Sequence, residues 1–147
     1  MKKILSILAL VFVFSACKSG KTQDEKKYSS SFEAQEYQLL SIEDRDVESM
    51  DLDLRVNTER NSISGASGCN NYKFDYNLDG ENLDLGYAVA TKMYCEDTME
   101  IENAFFKAAS KVKHFSLTDN MLYFLDEEGK VVLKAKKQNR KADKEKK

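Results

Sequence analysis

The sequence predicts an α+β domain that is mainly β: a strongly curved antiparallel sheet or incomplete β-barrel with one helix packed on it. Three observations carry this expectation. Apolar and polar residues alternate in short runs, as at residues 51–57, where Leu52, Leu54 and Val56 take every second place, the period of a half-buried antiparallel strand. Turn signals such as Asp79-Gly80 and Gly129 separate the runs at short intervals. Only one stretch, beginning near Asp97, repeats its apolar residues at helical spacing.

Taken in order, residues 36–42 (EYQLLSI) are apolar enough for a first strand, and an acidic loop follows. The alternating run 51–57 is the second. Residues 62–68 (SISGASG) are small and punctuated by glycine, which suits a strand that bends sharply into Cys69. Tyr72, Phe74 and Tyr76 then alternate with Lys73 and Asp75, and after the Asp79-Gly80 turn Leu83, Leu85 and Tyr87 repeat the pattern. Asp97 is a good helix N-cap, and Glu100 three residues later completes a capping box. Ile101, Phe105, Ala108 and Val112 fall on one face of this helix, and Lys107 and Lys111 stand near its end, where the dipole favours cations. Phe115, Leu117, Met121, Tyr123 and Leu125 form a further hairpin turning at Asp119-Asn120, and Gly129 leads into Val131-Val132-Leu133. Seven or eight short strands with one helix imply a curved sheet whose open end the helix covers.

The chain has 147 residues and 3 cysteines. Lys2 and Lys3 precede an apolar run over residues 4–14, then Ser15-Ala16-Cys17. A charged start, a short apolar core and small residues before a cut make a signal peptide, and the run is too short to span a bilayer. A cysteine directly after the small residues resembles a lipobox, in which the thiol takes a diacylglycerol and becomes the new N-terminus. Residues 1–16 are therefore read as a leader and Cys17 as a lipidation site. Residues 17–32 are a polar tether, 33–135 the folded domain, and 136–147 a flexible basic tail. Lys18 after Cys17 is not the aspartate that retains lipoproteins at the inner membrane, so the expected location is the cell envelope, lipid-anchored at the outer membrane.

Charge divides along the chain. Residues 18–133 carry 13 basic and 23 acidic side chains, whereas 134–147 carry 8 basic and 2 acidic. An acidic body repels phosphates and argues against nucleic-acid binding. The tail is either a solvated end or an electrostatic contact for anionic headgroups.

With Cys17 assigned to lipid, Cys69 and Cys95 remain in an exported domain, where a pair favours a disulfide. The bridge would close a loop of about 25 residues and contribute roughly 3.5 kcal/mol through chain entropy. Two buried free thiols are the other reading.

The run SGASGCNNYKFDYNLDGENLDLGYAVATKMYC, a helix with Glu102, and the closing LYFLDEEGKVVLKA resemble the META domain, a family that includes HslJ-like bacterial lipoproteins. The marks are Gly65 before Gly68-Cys69-Asn70, then Thr91-x-Met93-x-Cys95, then Glu102, with Asn71 beside the first block. Tyr37 stands where family members usually open with tryptophan, and another large aromatic can fill that core site. The resemblance implies a barrel-like β fold with a helix, related in shape to lipid-binding pilot lipoproteins of secretion systems, and no enzyme activity, with stress or antibiotic tolerance and motility or secretion suggested for some members. No cofactor is expected, and the expected role is in stress response or envelope upkeep.

Other constellations are weaker. Residues 75–80 match the first positions of a calcium loop, but Asn82 and Gly86 stand where an aliphatic and a bidentate glutamate are needed, so no metal site is expected. His114, the single histidine, lacks a motif that would orient it toward a cysteine and is read as the start of a strand. Asn70 and Asn71 hold a turn or contact a ligand. Tyr72, Phe74, Tyr76, Tyr87, Phe105 and Phe106 pack as core or line an apolar cavity under the helix. Two functions remain open: an envelope lipoprotein acting through protein contacts, or a carrier or pilot that shields an apolar ligand inside the sheet.

Overall fold

In the computed structural model residues 32–138 are described; the leader, Cys17, the tether and the tail beyond Gln138 lie outside them. The apolar run Glu36–Ile42 forms β1. A two-residue β2 (Arg45–Asp46) and a single 3₁₀ turn (Glu48–Met50) lead to β3 (Asp53–Asn57). β4 (Ser62–Ala66), β5 (Asn71–Asp79), β6 (Asn82–Leu85) and the short β7 (Val89–Ala90) follow. Helix α1 (Met99–Ala109) then precedes β8 (His114–Thr118), β9 (Met121–Leu125) and β10 (Val131–Lys137).

Eight of these strands close a barrel. The hydrogen-bonded order is β1-β3-β4-β5-β6-β8-β9-β10, and β10 returns to β1, antiparallel throughout. The expected incomplete barrel is thus a closed one. Its thinnest seam joins β6 to β8, where Asn82 opposes His114 and Leu83 N–H donates to Lys113 O at 2.8 Å.

Strand alternation sends Leu54 and Val56, then Tyr72, Phe74 and Tyr76, to the inside. On β1 the register shifts between Leu39 and Ser41, so the inward set passes from Tyr37 and Leu39 to Ile42; such a bulge bends the strand and favours closure. An eight-stranded barrel is just wide enough for side chains to fill, and here aromatic and branched residues fill it. The last strand continues to Lys137, and Phe32 is 7% exposed, so the fold reaches slightly beyond both edges of the expected 33–135. Phe32 enters the barrel mouth, its ring centroid 4.2 Å from Phe115 and 5.2 Å from Tyr76.

The helix covers the other mouth. Phe105 lies 4.7 Å from Tyr72 on β5, while Lys111 pairs with Glu43 just past β1 on the opposite wall. The Lys111 ammonium holds the Glu43 carboxyl below the ordinary carboxylate range. The helix begins one residue later than expected, with Thr98 as N-cap and no side-chain cap bond. Cys95 O accepts the N–H groups of Thr98 and Met99, each at 3.1 Å. The chain therefore turns at 96–98 before entering the helix, and Asp97 is left outside it. Glu100 pairs with Arg45 at 2.7 Å in place of a capping box.

Two buried hydroxyls are unsatisfied among the described residues, on Tyr37 and Thr98. Tyr37 is fully buried and its hydroxyl finds no partner among the described residues. Burial, with the charge of Glu33, pushes its pKa to about 12. An unpaired buried hydroxyl costs more than it contributes. Tyr37→Phe is therefore expected to leave stability unchanged or raise it by about 1 kcal/mol in urea unfolding. A loss above that size would mean that the hydroxyl is bonded. Its raised pKa adds an alkaline limit: the unfolded chain ionises near pH 10 while the folded hydroxyl keeps its proton toward 12, so the stability of the fold falls as pH climbs between them.

Candidate functional site

The residues marked by the sequence meet at one junction, between the β4–β5 turn, the loop after β7 and the first turns of α1. Ser67-Gly68-Cys69-Asn70 makes the turn. Ser67 N–H donates to Asn70 O at 2.8 Å, and Gly68 adopts φ +109°. A Cβ at Gly68 would be strained and would lie 3.3 Å from Thr98 Cβ, so glycine both permits the turn and lets the helix entry press against it. Cys69 is bridged to Cys95 with a Cα–Cα distance of 5.8 Å. The pair thus forms the disulfide, and the reading as free thiols is set aside.

Asn70, 3% exposed, is the centre. Its Nδ2 donates to Glu102 Oε1 at 2.8 Å and to Met93 O at 3.1 Å. Its Oδ1 accepts from Thr91 Oγ1 at 2.7 Å and from Met93 N–H at 2.8 Å. Both donors and both lone pairs of the amide are used. Its backbone N–H donates to Glu102 Oε2 at 3.1 Å, and Ser67 Oγ lies 3.0 Å from the same oxygen. One helical carboxylate therefore gathers the turn, and the turn's amide gathers the loop. Thr91 adds a two-way link: its N–H donates to Asn71 O at 3.0 Å and its Oγ1 accepts from Asn71 N–H at 3.2 Å.

Gly65 acts one strand away. It opposes Tyr72 across β4 and β5, and an added Cβ would stand 2.0 Å from Asp53 O on β3. The same carbonyl accepts the Tyr72 hydroxyl at 3.0 Å. The missing side chain lets β3 approach closely, and the tyrosine bonds to the strand beyond its own neighbour. Burial, with the charge of Asp53, raises the Tyr72 pKa far above its usual value, so the hydroxyl stays a donor.

Chemically this arrangement clamps. The glutamate oxygens already accept protein donors, the sulfurs are joined, and His114 lies in the β6–β8 seam. Among the described residues no group of three or more His, Cys, Asp or Glu could hold a metal ion, and no helix is long and apolar enough to cross a membrane.

The aromatic set divides. Tyr72, Phe74, Phe105 and Phe106 pack ring against ring under the helix, with Phe105 and Phe106 5.3 Å apart and Tyr72 and Phe74 5.4 Å apart. Tyr76 belongs to the opposite mouth with Phe32. Tyr87 is a correction: it is wholly exposed and lines no interior. β6 ends at Leu85, Gly86 N–H donates to Asp75 O at 2.8 Å, and the chain then leaves the wall to reach β7. A concavity of about 1140 Å³ lies elsewhere, on the outer wall beside Arg55, Ser62, Ser64 and Lys73, and none of the six aromatics lines it.

Sequence reasoning missed Ser67, fully buried in the turn, and Thr98, whose buried Oγ1 has no partner among the described residues. A small polar residue before Gly68 was the available signal for Ser67; nothing local marked Thr98 over Asp97 as the cap.

Comparison with known proteins places these features in a family. The META domain family matches residues 30–139. An NMR structure of a protein from Burkholderia xenovorans superposes with a TM-score of 0.62 at 18% identity, covering 95% of this chain and 100% of that one. A crystal structure of a DUF4847 family protein from Bacteroides vulgatus gives 0.52 at 10% identity, covering 72% and 95%. At these identities the likeness is one of fold. No curated protein matches the sequence. With the family match spanning the entire barrel and its clamp, the chain belongs to the META domain family.

Proposed function

We propose that this protein is a membrane-anchored envelope lipoprotein that works through binding contacts in stress response or envelope upkeep, with no catalytic step. The observation that carries the reading is the saturation of the Asn70–Glu102 junction. The polar residues that mark the family bond to one another, and the cysteines are closed on themselves. Residues arranged this way support a surface; a catalytic centre keeps reactive groups free for substrate. The anchor follows from the charged and apolar leader ending in Ser15-Ala16-Cys17. The carrier reading is the weaker of the two, because the interior that would hold an apolar ligand is occupied by Tyr37, Phe32, Phe115 and Phe124.

The test is made in cells. Cys17→Ser is expected to stop lipid attachment and to leave the longer precursor unprocessed, read by gel mobility and by labelling with a fatty acid. Mature-sized, membrane-bound Cys17→Ser protein would overturn the anchor. Affinity capture from crosslinked envelopes then identifies the contact.

A further inference from the structure

Among the described residues, the segment between β6 and α1 carries most of the exposed large apolar side chains. Tyr87 is 100% exposed, Tyr94 78%, Val89 72% and Met93 54%. Such residues normally turn inward when the backbone allows it. Here the backbone does not allow it. Val89 and Ala90 pair with Lys73 and Tyr72 on β5, and Thr91 is bonded to Asn71. Met93 is held at both its N–H and its carbonyl by the Asn70 amide, and Cys95 is bridged to Cys69. The β5–β7 pairing and the clamp described above thus hold this segment on the surface, with two tyrosines, a valine and a methionine exposed to solvent.

We propose that this strip is a membrane-interface contact, which seats the helix-capped mouth of the barrel on a zwitterionic phospholipid surface. Tyrosine is an interfacial residue: its ring suits the boundary region and its hydroxyl suits water and headgroups. Lys92 stands between the apolar residues, and Glu96 and Asp97 follow directly; all three are exposed. This mixed charge complements paired phosphate and ammonium groups and disfavours a strongly anionic surface. The position of the chain outside the barrel fits the same occupant. About 15 residues run from Cys17 to Phe32, and they can span at most about 50 Å. A nine-residue strand such as β5 is about 30 Å long. A barrel attached at Cys17 can therefore bring its far mouth to the bilayer that holds the anchor. The anchor makes that encounter intramolecular, so a small contact suffices.

The proposal deepens the anchoring reading and is tested without depending on cellular lipidation. The chain from residue 17 onward includes every described residue, and Cys17 is its one thiol outside the bridge. Coupling that thiol to a maleimide lipid in phosphatidylcholine vesicles supplies the anchor chemically. The protein has no tryptophan, so Tyr94→Trp is a sole reporter of the strip and Tyr123→Trp, on the outer wall at β9, a sole control. With brominated phosphatidylcholine, the Tyr94→Trp reporter is expected to be quenched at least threefold more than the control and to shift to shorter wavelength. Adding Tyr87→Ser and Val89→Ser is expected to remove the difference while the circular dichroism of the barrel stays the same. Equal quenching of reporter and control would overturn the proposal. A reporter that stays in water on vesicles and is shielded only when envelope proteins are added would assign the strip to a protein partner, and would overturn it equally. Failure of cellular lipidation at Cys17 would strike the anchor alone, since the coupled lipid replaces it here.

Discussion

Asn70→Asp is expected to destabilise the domain by about 3 kcal/mol or more at pH 7, measured by urea unfolding. The substitution is nearly isosteric, so packing is preserved and the effect is electrostatic. The Nδ2 group that donates to Glu102 Oε1 and Met93 O becomes an anionic oxygen facing a carboxylate and a carbonyl. Two donor bonds are lost, one to a charged acceptor worth about 1.5–3 kcal/mol, and like charges are brought together. The Thr91 hydroxyl and the Met93 N–H keep their acceptor, so the loop stays attached through these two bonds. A second readout separates this from general damage. Two facing carboxylates raise the pKa of one of them in the folded state, so the variant should recover stability as pH falls toward about 5. A loss independent of pH would mean that Asn70 and Glu102 do not face each other.

Gly65→Ala should be comparably severe, at about 3 kcal/mol or more. The new methyl would meet Asp53 O at 2.0 Å, Asp53 C at 2.8 Å and Leu54 Cα at 3.1 Å, all of them backbone. No rotamer change relieves such a clash, so β3 must move away from β4 and the Tyr72–Asp53 bond is stretched. Gly80→Ala is the control. Gly80, unlike Gly65, has positive φ, at 61°, and nothing lies within 4 Å of an added Cβ. Its cost is conformational only, about 1–2 kcal/mol. If the two variants lose equal stability, close strand approach is not what Gly65 provides.

The strands were legible because alternation is a local signal. Tyr72, Phe74 and Tyr76 all face inward as their period requires, and the hairpin closes at Gly80-Glu81, with Asp79 opposite Asn82. Alternation failed where tertiary contacts interrupted it. Tyr87 continues the period of Leu83 and Leu85, yet Gly86 bonds to Asp75 and the chain departs from the wall. Capping rules favoured Asp97, whereas the bridged Cys95 places the turn before the helix and makes Thr98 the first flanking residue. Apart from Ser67 and Thr98, the junction residues were picked out by their resemblance to a family, but their chemistry was not. Asn70 and Glu102 stand 32 positions apart, and no local rule says that one amide will bond to the helix and the loop together.

Local sequence by itself determined the acidic body, the strand periods and the amphipathic helix before β8, since each depends on residues a few places apart. Three matters belonged to the tertiary structure. Barrel closure required β10 to pair with β1, a contact between opposite ends of the domain. Filling of the interior followed from that closure, because an eight-stranded barrel leaves room for side chains such as Phe32 and Phe115. The exposure of Tyr87, Val89, Met93 and Tyr94 followed from the departure of the chain after Gly86, the β5–β7 pairing and the clamp at Met93. Hydrophobicity argues for burial of each of these residues, and backbone bonds to partners distant in sequence hold their segment at the surface.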